Sequence, residues 1–424
     1  MFLGLSFGYL FLILTLLFFL CWFYRLPFFN AFSILLFSVL PFELTKVLIA
    51  PFYNGLSDDP YYLEAIGINL FFLTVAFFSL TLWLVFFGKV RLPFFRVYEN
   101  VGFTITKKSL RRSAYIFLVM YVAFFVATMA LGGGGLKWIL NTREAYQLHR
   151  MGVGMFYALS ISFLSLSFGS YMFSFVRASY WLYWGIIFYV GMAYFFGSKG
   201  IILDFAVFGL VALWFYRARG FYLCLILVPS IVFPVMIYNL SQAYGELDLS
   251  RVLSYFDYYN NSAMFYKAFD EGELGYYWGK IFTSQFWTFV PRFFYPDKPF
   301  VYGFLYVNEY FFPGAAEATN TPAFGGPTEF YADFGMPGVI FGALLNPAVI
   351  CFAFLSYNLV YRFKYTSVGN DSKVDARVYL LLVFLFFPDF MLFFNAATKV
   401  LVFVVLSCCI YFSLRRVVPS AIGV

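Results

Sequence analysis

The stretch that decides the fold lies between residues 64 and 87 and reads EAIGINLFFLTVAFFSLTLWLVFF. After Glu64 it holds no charged side chain, and a helix needs about 20 mainly apolar residues to cross a bilayer. Similar stretches lie at 3–23, 30–50, 113–132, 152–175, 178–196, 200–216, 220–239, 338–361, 377–395 and 398–414. The pattern predicts an all-α polytopic membrane protein with about 11 transmembrane helices, within a range of about 10 to 12.

The composition of the whole chain supports this class. Of its 424 residues, 63% are hydrophobic and 12% are charged, whereas soluble domains are about 45–50% apolar and about 25% charged. Too few polar side chains are present to cover a water-facing globule, which excludes a soluble enzyme, a nucleic-acid-binding protein and a disordered chain. The five cysteines lie in apolar runs without metal-ligand spacing, so we expect no disulfide framework, metal site or cofactor.

The distribution of charge predicts which loops face the cytoplasm. One set of loops between the predicted spans carries 17 basic and 3 acidic residues, and the alternate set carries 10 basic and 15 acidic residues. Cytoplasmic loops of membrane proteins are enriched in Lys and Arg. We therefore expect the first set to be cytoplasmic, with the N-terminus outside and the C-terminus inside.

This topology divides the chain into three parts. Residues 1–239 hold the first eight spans and a short outer loop at 133–151, and residues 338–424 hold the last three spans. The intervening residues 240–337 form one large outer loop, and a loop of this length is usually functional or disordered. Its many aromatic residues argue against disorder.

Two parts of the large loop have the pattern of interfacial helices. Residues 250–270 place apolar side chains (Leu253, Phe256, Met264, Phe269) between acids and amides, and 274–289 look similar. We expect both to be amphipathic helices along the outer membrane interface. Their aromatic rings either anchor them there or form a stacking surface for sugars.

Basic side chains occur on the outer side, where positive charge is otherwise scarce. They are Arg143 and Arg150 in the loop 133–151, Lys199 in a short turn, and Arg292 and Lys298 in the proline-rich stretch 290–299. Guanidinium groups match phosphate oxygens bidentately. An anionic ligand, namely a lipid-linked phosphate or pyrophosphate, is the leading inference, although Lys199 could instead snorkel to the interface.

Three further polar residues stand out. His149 is the only histidine, follows Arg143 by six residues, and is either a polar surface residue or a candidate base or phosphate donor. Glu329 and Asp333 share a face if their stretch is helical. The glycines around these two acids (Gly325, Gly326, Gly335, Gly338) allow a close approach of the backbone to a ligand. The alternative is a connector with solvated carboxylates. Asp58 and Asp59 either start a helix or form a further acid pair.

Several of these motifs resemble those of the bacterial O-antigen polymerase (Wzy) and oligosaccharide repeat-unit polymerase family. The resemblance rests on TREAY at 142–146, GSKG at 197–200, VPRFFYPDKP at 290–299 and the Gly/Pro/acidic stretch 325–338. An Arg-x10-Gly pattern described for that family is matched by Arg143 with Gly154 and by Arg292 with Gly303. Lys199 stands where such proteins often carry arginine.

The resemblance implies a glycosyltransferase of the bacterial inner (cytoplasmic) membrane, with a periplasmic N-terminus and a cytoplasmic C-terminus. It would transfer a growing glycan en bloc from undecaprenyl pyrophosphate to a new lipid-linked repeat unit at the periplasmic face, without a metal. A GT-C-like architecture and a chain-length regulator protein as partner are compatible with it, and no nucleic acid is expected. The pyrophosphate and glycan would be bound by Arg143, Arg150, Lys199, Arg292, Lys298, Tyr146, Gly154 and Gly303.

For the base, the candidates implied are His149, then Glu329, then Asp333. Two other functions stay open. An O-antigen ligase would share the large outer loop and the basic residues. A lipid-linked oligosaccharide flippase would need cations spread over many helices, whereas cations are nearly absent from the predicted spans.

Overall fold

The structure is a computed structural model that describes part of the chain. It describes residues 59–89, 104–150, 152–175, 177–216, 258–290, 295–317 and 322–345, together with shorter pieces that include 220–224 and 373–375. These residues belong to two compact units. The first unit takes its residues from Met1–Leu92 and Pro234–Leu355, and the second from Pro93–Phe233 and Ser356–Val424.

The described residues are almost entirely helical. In chain order the elements are α1 (Pro60–Lys89), β1 (Thr104–Thr106), α2 (Lys107–Leu131), α3 (Lys137–Leu140), α4 (Thr142–Leu148), α5 (Gly154–Phe173), α6 (Tyr180–Tyr194), α7 (Lys199–Phe215), α8 (Tyr258–Asp270), α9 (Lys280–Ser284) with a 3-10 turn (Gln285–Phe289), α10 (Leu305–Phe311), α11 (328–345) and β2 (Lys373–Asp375). The two short strands pair antiparallel, with Ile105 opposite Val374. Apart from this pair, the expectation of a helical fold is confirmed.

Three described helices are long and apolar enough to cross a membrane, at Pro60–Leu82, Lys107–Leu131 and Gly154–Phe173, and Gly200–Trp214 is a shorter apolar helix. They match the predicted spans 64–87, 113–132, 152–175 and 200–216. The chain is therefore a multi-pass membrane protein. The predicted spans 3–23, 30–50, 377–395 and 398–414 lie almost wholly outside the described residues, and 220–239 and 338–361 do so in part. The total of about 11 spans stays a prediction.

The second unit is built around α2 and α5, which pack along each other. The rings of Phe124 and Phe163 stack with their centroids 5.3 Å apart. One turn further along α5, the hydroxyl of Ser167 donates to the carbonyl oxygen of Ala114 over 2.7 Å and lies 2.6 Å from the hydroxyl of Tyr189. Polar groups inside a membrane must find partners within the protein, so these bonds fix how α2, α5 and α6 face one another.

The first unit is built around α1, whose start is capped by Asp59. Its carboxylate accepts hydrogen bonds from the backbone N–H groups of Tyr61 and Tyr62 at 2.9 and 3.3 Å. This geometry is that of a helix N-cap. Of the two interpretations of Asp59, the start of a helix is therefore the one that the structure supports.

The helix α8 packs against α1 through polar as well as apolar contacts. The amide of Asn69 donates to the hydroxyl of Tyr259, and the rings of Tyr62 and Tyr259 meet edge to face at 6.2 Å. Residues 258–270 confirm the helix expected at 250–270, whose earlier part lies outside the described residues. The expected apolar face is wrong at Met264, which is 38% exposed. The buried face carries Tyr259, Ser262, Ala263, Phe265, Tyr266 and Ala268. The hydroxyl groups of Tyr259 and Ser262 have partners there, in Asn69 and Thr328.

The second expected amphipathic helix, at 274–289, is shorter than predicted. The helix α9 begins only at Lys280, because Trp278 (φ 51°) and Gly279 (φ 85°) adopt left-handed conformations that a right-handed helix excludes. The backbone N–H groups of Tyr277 and Trp278 instead donate to the carbonyl oxygens of Ala332 and Asp333. Residues 274–279 therefore form a turn that is hydrogen-bonded to the backbone at residues 332 and 333.

The helix α11 bends sharply at Gly335, which has a φ of +64°. The bend brings the carbonyl oxygen of Phe330 against Gly338 and the ring of Phe330 against Gly342, where side chains would collide. We expected Gly335 and Gly338 to allow a ligand to approach. In the structure, their close neighbours are Tyr276 and Phe330.

We predict that Gly335→Ala lowers the stability of the protein in detergent by about 1–3 kcal/mol. An alanine there would have to keep the left-handed φ, and its Cβ would lie 2.7 Å from the Tyr276 hydroxyl. Thermal unfolding of the purified protein measures the effect. Gly326→Ala is the matched control, because nothing lies within 4 Å of its added Cβ. Equal melting temperatures for the two variants would contradict the account of the bend.

Candidate functional site

In the second unit, the short helix α4 is fixed by its own caps. The side-chain oxygen of Asn141 accepts from the backbone N–H of Glu144 at 3.4 Å, and the Asn141 amide donates to Glu144 Oε2 at 2.8 Å. Lys137 forms an ion pair with Glu144 at 2.9 Å. The hydrogen bond and the charge of Lys137 lower the pKa of Glu144. A seven-residue helix is not stable alone, so these contacts set the direction of its side chains.

Two arginine side chains meet one tyrosine ring on α4 and just after it. The guanidinium carbons of Arg143 and Arg150 lie 5.2 and 4.5 Å from the centroid of the Tyr146 ring, within the range of cation–π contacts. Arg150 Nη1 also donates to the Tyr146 hydroxyl at 2.9 Å. Arg143 is only 5% exposed. The predicted residues Arg143, Tyr146 and Arg150 are thus brought together, and we name them the arginine cluster.

The arginine cluster is docked onto the turn at Gly197. Arg143 Nη1 donates to the carbonyl oxygen of Gly197 at 3.2 Å. Gly197 has a φ of +65°, and an added Cβ would collide with the carbonyl oxygen of Thr142 and approach Tyr146 Cβ to 2.8 Å. The motifs at 142–146 and 197–200 therefore touch each other, and glycine is required at the contact. Lys199 is the first residue of α7, and its side chain is outside the described part of the structure.

The electrostatic character of the arginine cluster follows from these contacts. Its guanidinium groups contact the carbonyl oxygen of Gly197, the hydroxyl of Tyr146 and the face of the Tyr146 ring. The neighbouring carboxylate of Glu144 is held by Lys137 and Asn141. Two like charges around a single ring repel each other, and a doubly charged anion would relieve that repulsion. The arrangement suits a phosphate or diphosphate ligand.

His149 lies directly before Arg150 of the arginine cluster, and Gly154 lies four residues after it. His149 ends α4, with its backbone N–H donating to the carbonyl oxygen of Ala145 at 2.9 Å. Its Nε2 is buried and makes no hydrogen bond within the described residues. Gly154 is the first residue of α5, and nothing lies within 4 Å of an added Cβ. No neighbouring atom in this part of the structure explains a glycine at 154.

In the first unit, Asp333 holds the start of α9. Its Oδ1 accepts from the backbone N–H groups of Gly279 and Ile281, each at 3.1 Å, and its Oδ2 accepts from that of Phe282 at 2.8 Å. The side chain is 3% exposed. Burial raises the pKa of Asp333, and the three backbone hydrogen bonds act against that rise. Because both oxygens are occupied, its geometry is that of a capping residue rather than of a free base.

Glu329 lies one turn before Asp333 on α11. Its Oε1 accepts a hydrogen bond from the side-chain amide of Gln285 at 2.7 Å. Burial raises the pKa of Glu329, the charge of Asp333 raises it further, and the bond from Gln285 lowers it. Its other oxygen, Oε2, makes no hydrogen bond to the described residues. Glu329 is therefore the carboxylate of this pair that can still accept a proton from a substrate.

Gly303 and Lys298 lie close to the same segment. Gly303 has a φ of +58°, its backbone N–H donates to Ser284 Oγ at 2.8 Å, and an added Cβ would lie 2.7 Å from Gln285 Cδ and Nε2. The ammonium of Lys298, which is 9% exposed, lies 4.5 Å from the centroid of the Tyr302 ring. Arg292 lies outside the described residues.

Two residues of this region are new compared with the sequence-based set. Lys280 places its ammonium 4.0 Å from the centroid of the Tyr306 ring, and Gln285 bonds Glu329. A neutral amide in an aromatic loop gave no signal, because its partner is 44 residues away. The exposed Lys280 could have been counted as a further outer-side cation.

Comparisons with known proteins agree with the resemblance of the motifs. Two curated proteins, the O-antigen polymerases of Salmonella typhimurium (strain LT2) and Salmonella typhi, are each 27% identical to this chain over 205 residues. The chain is similar to O-antigen polymerases. The matched residues make up 47% of this chain, which thus spans about half (49%) of the length of each relative. No protein-family model and no solved structure matches it.

We predict that Asp333→Ala destabilises the first unit. Removing the carboxylate leaves three backbone N–H groups, one of them buried, without their acceptor, at a cost of about 1–3 kcal/mol. A lower melting temperature in detergent and faster proteolysis near residue 280 are the expected results. Glu317→Ala, at an exposed acid, is the control. An Asp333→Ala protein as stable as this control would show that the cap is dispensable.

Proposed function

We propose that the protein is a polymerase of lipid-linked oligosaccharide repeat units, of the kind that builds O-antigen in lipopolysaccharide. The observation that carries the proposal is the arginine cluster, held in a short segment between the apolar helices α2 and α5 of a chain similar to O-antigen polymerases. The reaction is the en bloc transfer of a glycan from undecaprenyl pyrophosphate to a new lipid-linked repeat unit. It takes place at the periplasmic face of the inner membrane.

The arginine cluster would bind the diphosphate of the lipid-linked donor. Each guanidinium presents several N–H donors in a planar fork that matches phosphate oxygens. The Tyr146 ring orients both forks before the ligand arrives, so little side-chain entropy is lost on binding. When the bond between sugar and diphosphate breaks, negative charge grows on the leaving group, and fixed positive charges stabilise it. For this reason we propose a metal-independent transfer.

Glu329 would accept the proton of the acceptor sugar hydroxyl. That hydroxyl oxygen attacks the anomeric carbon of the donor, the bond from this carbon to the diphosphate oxygen breaks, and the diphosphate leaves with the electron pair. A base works best when its pKa lies near the working pH, and burial raises the pKa of Glu329 in that direction. Asp333 would position the base through α9. His149 is the second candidate base.

The remaining predicted residues keep supporting roles in the proposal. Lys199, Arg292 and Lys298 would add positive charge for the pyrophosphate, and Gly154 and Gly303 would shape the backbone near the glycan. We propose a periplasmic N-terminus, a cytoplasmic C-terminus and a chain-length regulator protein as partner. A flippase is less consistent with Gly154–Phe173, a described span that contains no charged residue.

We predict that Arg143→Ala and Arg150→Ala each reduce polymer formation by about 100- to 1,000-fold while protein abundance is maintained. Arg292→Ala should act similarly. Arg143→Lys should restore activity only in part, because a lysine lacks the planar fork. Gel profiles of surface polysaccharide measure chain length in each strain. The control is Arg111→Ala, whose guanidinium also lies over a ring, that of Phe175 at 5.4 Å. Normal ladders in the two cluster variants would refute the site.

We predict that a strain lacking this protein carries single repeat units on its lipopolysaccharide core. This is the product expected when polymerisation stops and ligation continues. Analysis of the surface polysaccharide by gel and mass spectrometry tests it. Unattached polymer on its lipid carrier would indicate an O-antigen ligase instead, and repeat units trapped on the cytoplasmic side would indicate a flippase.

A further inference from the structure

Two acids on α11 hold opposite ends of the same short segment. Asp333 binds the backbone at Gly279, Ile281 and Phe282, at the start of α9. Glu329, one turn earlier, is bonded by the side chain of Gln285, which directly follows α9. The first contact is a helix cap and uses both carboxylate oxygens. The second is a single bond from a neutral amide to one oxygen of the residue that we take as the base.

Gln285 lies against Gly303, whose backbone is hydrogen-bonded to the preceding residue, Ser284. The N–H of Gly303 donates to the hydroxyl of Ser284, and that hydroxyl donates to the Lys280 carbonyl oxygen at 2.6 Å. Gly303 adopts a left-handed conformation and lies so close to Gln285 that a Cβ would come within 2.7 Å of its amide. A methyl group here would push the amide away from its present position. We call Gly303 the seat of Gln285, because its lack of a side chain leaves the space next to the amide free.

We propose that Gln285 is a positioning residue for Glu329, and that Gly303 is the seat that fixes its amide against Glu329 Oε1. The inference rests on the proposed function, in which Glu329 accepts the proton of the acceptor hydroxyl. It also gives Gly303, in the Arg292–Gly303 spacing, a role that does not require contact with substrate.

The hydrogen bond does two things for the base. It binds Oε1, so that rotation of the carboxylate is restricted and Oε2 is left to meet the acceptor hydroxyl. It also favours the charged form of Glu329, since an amide N–H donor stabilises a carboxylate more than a carboxylic acid. Among the described residues, the charged group that acts on Glu329 is Asp333, on the same helix. Its negative charge raises the pKa of Glu329, whereas the bond from Gln285 lowers it. The 3-10 turn opposite presents the neutral amide of Gln285.

The first test compares initial rates of polymer formation by the full-length protein in proteoliposomes supplied with purified lipid-linked repeat units. Gln285→Ala should slow the reaction about 10- to 100-fold. The rate should also be measured as a function of pH. The acid limb of this pH–rate profile should move to higher pH, because loss of the donor raises the pKa of Glu329. A side chain that only filled space would change stability and rate without moving the acid limb. Gln285→Glu should not rescue the rate, because a second carboxylate repels the first.

The second test asks whether Gly303 acts through Gln285. Gly303→Ala should slow the reaction, while Gly314→Ala is the matched control. Gly314 also has a positive φ, +77°, but nothing lies within 4 Å of its added Cβ. In the double variant Gln285→Ala/Gly303→Ala the second change should cost little further rate, because the displaced amide is already gone.

The outcomes separate the two levels of the proposal. A Glu329→Gln enzyme that polymerises at the normal rate would overturn Glu329 as the base, and with it the proposed chemistry. An inactive Glu329→Gln enzyme combined with a Gln285→Ala enzyme of normal rate and unshifted acid limb would overturn only the role of Gln285. Fully additive losses in the double variant would overturn the seat at Gly303.

Discussion

The hydrogen bonds of the Asp333 carboxylate are the contacts on which the geometry around α9 depends. A helix as short as α9 leaves most of its backbone N–H groups without partners inside the helix. Asp333 supplies acceptors for three of the groups at its start, from a different helix. The direction of α9 then determines where Gln285 lies, and Gln285 meets Glu329. One buried acid thus orients the neighbourhood of the other.

In the second unit, close packing against a glycine fixes the direction of another short helix. The helix α4 is only seven residues long, and its side chains point in defined directions because Asn141 caps it and because the turn at Gly197 lies directly against Thr142 and Tyr146. The close approach lets the carbonyl oxygen of Gly197 accept from Arg143. Two motifs far apart in the chain thereby become one surface, on which two positive charges share one aromatic ring.

These contacts explain where the sequence was informative about the site and where it was not. Arginine and histidine between the apolar runs of such a chain stand out by composition, so Arg143 and Arg150 could be found without a structure. That both side chains contact the ring of Tyr146 could be inferred only from the spacing of the three residues along the chain. Asp333 and Glu329 look equivalent in the sequence, four residues apart. Both oxygens of Asp333 accept hydrogen bonds in a helix cap, whereas Glu329 accepts one only at Oε1. That difference arises from residues 279–285, more than forty positions away.

The fold shows the same division. Long apolar runs predicted the spans that correspond to α1, α2 and α5, because burial of apolar surface in a bilayer dominates every other term for such runs. The face of α8 was predicted wrongly at Met264, since tyrosine and serine hydroxyls can be buried once partners such as Asn69 and Thr328 are in place. The start of α9 was also misjudged, because Trp278 is forced into a left-handed conformation by backbone bonds to α11.

The sequence by itself determined that this chain is a helical membrane protein with nearly all of its charged residues in the loops between the predicted spans, because hydropathy and charge are local properties. Only the tertiary structure decided which polar groups meet: Arg143 with Gly197, Asp333 with the start of α9, and Gln285 with Glu329. Hydrogen bonds act over about 3 Å, so they depend on the relative placement of segments that are distant in the chain, and no local pattern encodes that placement.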